Sequence, residues 1–182
     1  MKYFKKLTGE RVYLSPIDPT DAEIYTKWLN DSEITEFITL GSKIIGVEAE
    51  REALTQMARS GYNLSIVRLD DDAPLGVISL MSVDLVNRTA VLGIFIGEPS
   101  ELSKGYGSEA IRLILDYGFN TLGLHGVKLD AYAFNERALA CYRKVGFKEY
   151  GRRREATFKH GKYYDIICMD ILENEFRELY NK

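Results

Sequence analysis

Apolar and polar positions alternate in short runs along much of the chain and shift to helical spacing at several places. Residues 11–16 alternate, with Val12 and Leu14 on one face, which predicts a strand. Asp18, Thr20 and Asp21 then offer capping groups, and Ile24, Tyr25, Trp28 and Leu29 follow at helical spacing. Residues 31–46 have no clear period, and Gly41 and Gly46 punctuate them. The helical pattern returns over 47–60 through Leu54, Met57 and Ala58, with Gly61 placed to close it. Three strands are predicted next, over 62–69, 75–83 and 89–96, with turns at residues 70–72 and at Asn87-Arg88. They read as an antiparallel meander. A helix over 105–122 carries an apolar stripe of Ala110, Ile111, Ile114, Leu115, Gly118, Phe119 and Leu122. A strand over 126–134 and a short helix opened by Asn135 come after it. Gly146 suits the left-handed position behind that helix, and Phe147 suits the apolar contact beyond. Two strands, 147–158 and 163–172, joined by His160-Gly161, precede an amphipathic tail helix over 173–180. The order β-α-α-β-β-β-α-β-α-β-β defines a mixed α/β (α+β) chain with a helical crossover in its second half.

The 182 residues suit one domain, and 46% hydrophobic against 28% charged residues is enough to bury a core. The net charge of −3 gives no global positive field, so neither direct nucleic-acid binding nor an anionic membrane is expected, and any polyanion site must be local. The apolar runs are too short for a membrane span or a signal segment, and the cysteines that follow read as those of a reduced cytoplasm. Cys141 and Cys168, each among apolar or aromatic neighbours, read as buried thiols in a reduced compartment. His125 and His160 have no ligand-like spacing with them, so no metal is expected.

The chemistry concentrates in Ser103-Lys104-Gly105-Tyr106-Gly107-Ser108-Glu109-Ala110, between a strand and a helix. The first turn of a helix leaves N–H groups unpaired, and the peptide dipoles add positive potential there. Glycines let an anion approach those donors, and Lys104 adds a charge, so the stretch suits a phosphate or pyrophosphate. A glycine-rich turn that starts a helix and binds nothing is the plain alternative. A dinucleotide fingerprint is mimicked by Gly105, Gly107 and Ala110 with Asp130 further on. The polar spacer over 97–102, with Pro99 in it, breaks the direct strand-to-glycine passage that this fingerprint needs. The P-loop pattern fails because no Gly-Lys-Ser/Thr follows at the required spacing.

Residues 89–172 resemble the GNAT superfamily of N-acetyltransferases, and within it the ribosomal-protein N-terminal and polyamine branches. Four segments carry the likeness in order: LGIFIG, KGYGSEA, NERALACYRKVGF and GKYYDIICMDIL. The resemblance implies one domain over 1–182 with a cofactor-binding core over 89–172. It implies a mixed, mostly antiparallel sheet of about seven strands, splayed in the middle and flanked by about four helices. It further implies acetyl-CoA as cosubstrate. The pantetheine arm would pair with the open backbone edge of residues 94–96, near Phe95 and Ile96, as an added strand would. Ser103, Lys104, Gly105, Tyr106, Gly107 and Ser108 would hold the diphosphate. Asn135 would contact the pantetheine arm, although helix N-capping fits it equally. Tyr142 would be the general acid for the leaving thiolate. The family usually has Gln or Arg where this chain has Leu102, which implies a weakened grip on the cofactor.

Other residues stay open. Asp84, Glu98 and Glu36 are candidate bases, each also readable as a solvated surface acid, and a water relay is the alternative. Arg152, Arg153 and Arg154 form either a binding patch for the 3′-phosphate or an acidic substrate, or an exposed strand face. Phe158, Tyr163 and Tyr164 fit an acceptor pocket or β-core packing; Gly97 fits the chain's departure from the sheet, and Gly93 and Gly97 equally fit simple strand bending. The acceptor implied is a primary amine, either a protein N-terminus or a small molecule. A polyamine is the rival, although residues 33–43 hold few acids to receive one. A non-catalytic CoA-binding module is the reading outside the enzyme class. Relatives range from monomers to larger assemblies, so a homo-oligomer is admitted.

Overall fold

The computed structural model describes residues 2–38 and 43–180; Gly41 and the middle of the 33–43 loop lie outside them. Among the described residues, eight strands form one sheet in the order β1-β2-β3-β4-β5-β6-β8-β7. The strands are β1 Leu7–Thr8, β2 Val12–Pro16, β3 Asn63–Arg68, β4 Pro74–Asp84, β5 Thr89–Ile96, β6 Gly126–Tyr132, β7 Lys148–Lys159 and β8 Lys162–Leu172. The helices are α1 Ala22–Leu29, α2 Ser32–Thr35, α3 Val47–Arg59, α4 Tyr106–Asp116, α5 Glu136–Val145 and α6 Glu173–Tyr180. This is the single α/β domain with a mixed sheet that the pattern predicts. The additions are the two-residue β1 and the four-residue α2, both too short for a periodic signal.

Contacts divide the chain into two compact units, Met1–Ser79 with Gly93–Ile114, and Leu80–Leu92 with Leu115–Lys182. In the first, β2 pairs antiparallel with both β1 and β3. Its alternation does not survive: Val12, Tyr13, Leu14 and Ser15 are all buried, because both faces of this strand are covered. The core gathers Ile17, Tyr25, Trp28, Leu54 and Val77, with Phe95 packed against it. The rings of Tyr25, Trp28 and Phe95 pack edge-on or tilted at 5.1–6.3 Å. Gly97 is small because the Trp28 indole lies on it, so ring packing rather than strand bending accounts for that position.

In the second unit β8 pairs antiparallel with β6 and β7. The helix predicted over 105–122 begins one residue later, its residues to Ile114 belonging to the first unit, and after Asp116 it widens into a π-turn, Tyr117–Thr121, with Leu122 N–H bonded to the Tyr117 carbonyl at 3.1 Å. Phe119 is buried there against Phe176, ring centroids 5.3 Å apart. Asn135 and Gly146 bracket α5 as predicted; Gly146 takes φ 114°. Cys168 is buried but Cys141 is only half-buried, and the two form no disulfide. No helix among the described residues is long and apolar enough to cross a membrane.

A Cβ at Gly76 would meet the Phe95 carbonyl oxygen at 2.1 Å, a backbone atom that has no room to yield. Gly76→Ala is therefore expected to lower stability by about 1–3 kcal/mol, read as a lower urea midpoint at unchanged slope.

Candidate active site

The parallel pairing of β5 with β6 runs through Thr89–Gly126, Ala90–Val127 and Val91–Lys128, and no further rung is formed among the described residues. β5 continues to Ile96, and Ile94, Phe95 and Ile96 are half-buried although their strand is fifth of eight in the sheet. A strand interior to a sheet ordinarily spends its hydrogen bonds on both neighbours, so an early end to one ladder leaves an edge. Gly97 N–H bonds the Leu75 carbonyl at 2.8 Å, which holds the end of β5 to β4.

The chain then turns through Pro99–Glu101 and enters the glycine-rich loop. Ser103 has φ 61° and Gly105 φ 88°; the latter is the conformation that glycine adopts without strain. The first bond of α4 runs from Glu109 N–H to the Gly105 carbonyl at 3.1 Å, so the N–H groups of Gly105, Tyr106 and Gly107 stand ahead of the helical ladder. A Cβ on Gly107 would lie 3.9 Å from both Ile94 Cδ1 and Ile96 Cγ1. The fold thus brings the start of α4 and the far end of β5 together within one unit.

Three cations surround the loop, each tied to a carboxylate. Lys104 Nζ pairs with Glu101 Oε2 at 3.0 Å. Arg68 Nη1 holds the other Glu101 oxygen at 3.0 Å and forks onto Asp71 through Nε and Nη2, both at 2.8 Å. Lys104 and then burial and Arg68 act on Glu101, and the net effect keeps its carboxyl below the usual range. Arg11 Nε bonds Glu109 Oε2 at 3.1 Å, and Arg11 Nη1 donates to the Lys104 carbonyl at 2.8 Å. Glu109 is 4% exposed, and its Oε1 accepts the N–H groups of Arg11 at 2.8 Å and Val12 at 3.2 Å. Burial raises its pKa, but the bonds from Arg11 and Val12 outweigh that and bring it below 4.5.

Asn135 and Tyr142 belong to the second unit and share α5. Asn135 is buried; its Oδ1 accepts Ala138 N–H at 3.2 Å, so it caps the helix. Tyr142 is half-buried with its ring 6.0 Å from that of Phe147. Burial, and then the charge of Cys141, hold its phenol well above the ordinary value of 10.0. Among the candidate bases, Asp84 spends its carboxylate on the turn after β4, accepting from Val86 N–H and from Asn87 N–H and Nδ2 at 2.7–2.9 Å. Those bonds lower its pKa, which makes it a poor proton acceptor. Glu98 faces Lys27 at 3.8 Å, and Glu36 is half-buried beside α2. Arg152 and Arg153 pair with Asp165 and Asp130, and Arg154 is exposed, which fits a charged strand face. The rings of Phe158 and Tyr163 pack tilted at 5.0 Å yet are 60% and 64% exposed, so they are not β-core. Tyr164 is half-buried, its ring 4.7 Å from that of Phe134.

Sequence reasoning passed over Arg11, Arg68 and Glu109. The acid in the first turn of α4 was the available signal for Glu109, since carboxylates favour that end of a helix. It also passed over Glu50, a buried carboxyl in α3 on the same face as Val47, Leu54 and Met57; burial raises its pKa.

The acetyltransferase (GNAT) domain family matches residues 11–148, and the chain belongs to it. It is thus an acetyltransferase. A putative ribosomal N-acetyltransferase of Bacillus subtilis, YdaF, is 27% identical over 174 residues, covering 92% of this chain and 94% of that protein. Spermidine N(1)-acetyltransferase of Escherichia coli K12 is 33% identical over 106 residues, covering 58% of this chain and 56% of that one. In fold, a GNAT acetyltransferase from Bacillus anthracis superposes with a TM-score of 0.81 at 22% identity, covering 93% and 99%. Spermidine N-acetyltransferase from Vibrio cholerae, solved with CoA and spermine, gives 0.79 at 24% identity, covering 91% and 97%.

Glu109 contributes stability that is present above the unfolded carboxyl pKa of about 4.3 and is lost as pH falls through its depressed folded value. The wild type is expected to lose more urea-midpoint stability than Glu109→Gln between pH 6 and pH 3, in matched titrations of the midpoint.

Proposed function

We propose that the chain transfers the acetyl group of acetyl-CoA to a primary amine, a protein N-terminus or a small molecule, by direct attack within a ternary complex. One N-acetyltransferase domain fills residues 1–182 on this reading, in the cytoplasm. The observation that carries it is the placing of Gly107, at the start of α4, beside Ile94 and Ile96, where the parallel ladder of β5 has already ended. The loop fits the cosubstrate: Gly105 is left-handed, and room for a side chain at Gly107 is room for an anion to approach. Residues 103–108 hold the phosphates, and Phe95 and Ile96 offer backbone N–H and C=O to the pantetheine amides. Asn135 both caps α5 and touches the pantetheine arm. Acetyl-CoA supplies an activated thioester. An α-amine of pKa about 8 is about one-tenth neutral at pH 7, whereas a lysine amine is neutral in about one molecule in 2,500, so an α-amine reacts with help from water alone.

Tyr142 attends the leaving sulfur. Its phenol is a weaker acid than an alkyl thiol of pKa about 8.5, and burial weakens it further, so its contribution is a hydrogen bond to developing thiolate rather than early proton loss. A polyamine is the second reading, favoured by the spermidine acetyltransferase relatives.

Thermal shift with acetyl-CoA, CoA, NAD and ATP tests the reading: stabilisation by the two CoA species alone is expected, and stabilisation by NAD alone overturns it. Free-thiol release across a panel of peptides and polyamines then identifies the acceptor. Tyr142→Phe is expected to keep acetyl-CoA affinity and to lower kcat by about a hundredfold. Because its phenol stays protonated, the wild-type kcat/KM profile shows no fall attributable to Tyr142 up to about pH 10.

A further inference from the structure

Lys104 is the cation that the motif itself places in the loop, and its ammonium is already paired with Glu101, which Arg68 also holds. Around the loop Lys104, Arg68 and Arg11 are balanced by Glu101, Asp71 and Glu109. A diphosphate therefore meets no surplus of positive charge from the motif. Leu102 adds none.

Arg11 differs from the other two. It lies in the turn between β1 and β2, and its main-chain N–H and its Nε are both fastened to the buried Glu109 carboxylate. Its Nη1 is spent on the Lys104 carbonyl. Its Nη2 enters none of these bonds and stands beside Gly105: a Cβ there would lie 2.9 Å from it. The guanidinium carbon is 5.3 Å from the centre of the Tyr106 ring, and the side chain is half-exposed. Guanidinium is planar and always charged, so fixing two of its nitrogens fixes the direction of the third.

We propose that Arg11 is a phosphate-binding residue of the acetyl-CoA site, presented at Gly105 by Glu109 as its positioning residue. This rests on the acetyltransferase reading above. It moves the N-terminal limit of the cofactor-binding core from residue 89 back to the β1–β2 turn. Its ligand is the diphosphate, not the acyl arm.

Calorimetric titration of the full chain with CoA and with pantetheine, which has no phosphate, tests it. Arg11→Gln is expected to weaken CoA binding by about tenfold or more while pantetheine binding stays within about twofold. Arg11→Lys keeps the charge but loses the fork, and is expected to fall between wild type and Arg11→Gln; it serves as the deciding variant if Arg11→Gln does not fold. Glu109→Gln is expected to weaken CoA selectively but less. CoA affinity unchanged in the Arg11 variants overturns the inference, as does an equal loss for CoA and pantetheine. A wild-type protein that binds neither CoA nor acetyl-CoA overturns the acetyltransferase reading itself.

Discussion

A carboxylate held out of water at the first turn of α4 fixes the loop on which the proposed chemistry depends. Burying Glu109 as an anion is costly, and only several aimed N–H groups offset such a cost. The chain supplies them from the β1–β2 turn, through Arg11 and Val12. The same bonds that satisfy Glu109 pin a turn 98 positions away in sequence to the start of the helix. They also draw the Arg11 guanidinium onto the Lys104 carbonyl. Loop conformation, helix start and N-terminal hairpin are therefore one hydrogen-bonded object, and a change at any member is felt by the others.

Against that fixed loop, β5 is a strand of two halves. Its first three residues are spent on parallel pairing with β6. Its last residues, Gly93 to Ile96, belong to the other compact unit and are only half-buried. Parallel neighbours require a crossover, and α4 with its π-turn lies between β5 and β6 in the chain. Ring packing secures this end of β5: Phe95 against Tyr25 and Trp28, and Trp28 in turn over Gly97. Backbone groups left beyond the β6 ladder stay in strand geometry, which is what the proposed amide-bearing cosubstrate would need.

Contiguous features were legible in the sequence. β5 has the limits its apolar run implies, and Asn135 and Gly146 bracket α5 because caps are local chemistry. The glycine-rich loop was readable for the same reason. What escaped reading depends on distant parts of the chain. β2 was expected to alternate, but cover on both faces buries Tyr13 and Ser15 as well. Asp84 read either as a candidate base or as a surface acid, and the turn it caps claims its oxygens. Arg11 and Glu109 were invisible as a pair because nothing in the 97 residues between them signals contact.

The environment of Tyr142 constrains how it takes part in the proposed transfer. A phenol that loses its proton less readily than a thiol does not drive proton transfer to a fresh thiolate, so positioning must supply what acidity does not. Burial in α5 against Phe147 gives positioning and withdraws acidity at once. Hydrogen bonding to the sulfur stabilises charge as the carbon–sulfur bond lengthens, and a dry surrounding strengthens that bond. The proton that the attacking nitrogen sheds as the amide forms and the carbon–sulfur bond breaks is then the source of the thiol hydrogen, relayed through water. A half-buried tyrosine with a firmly held proton suits that sequence better than one tuned to ionise, since an ionised phenolate beside the sulfur would oppose departure.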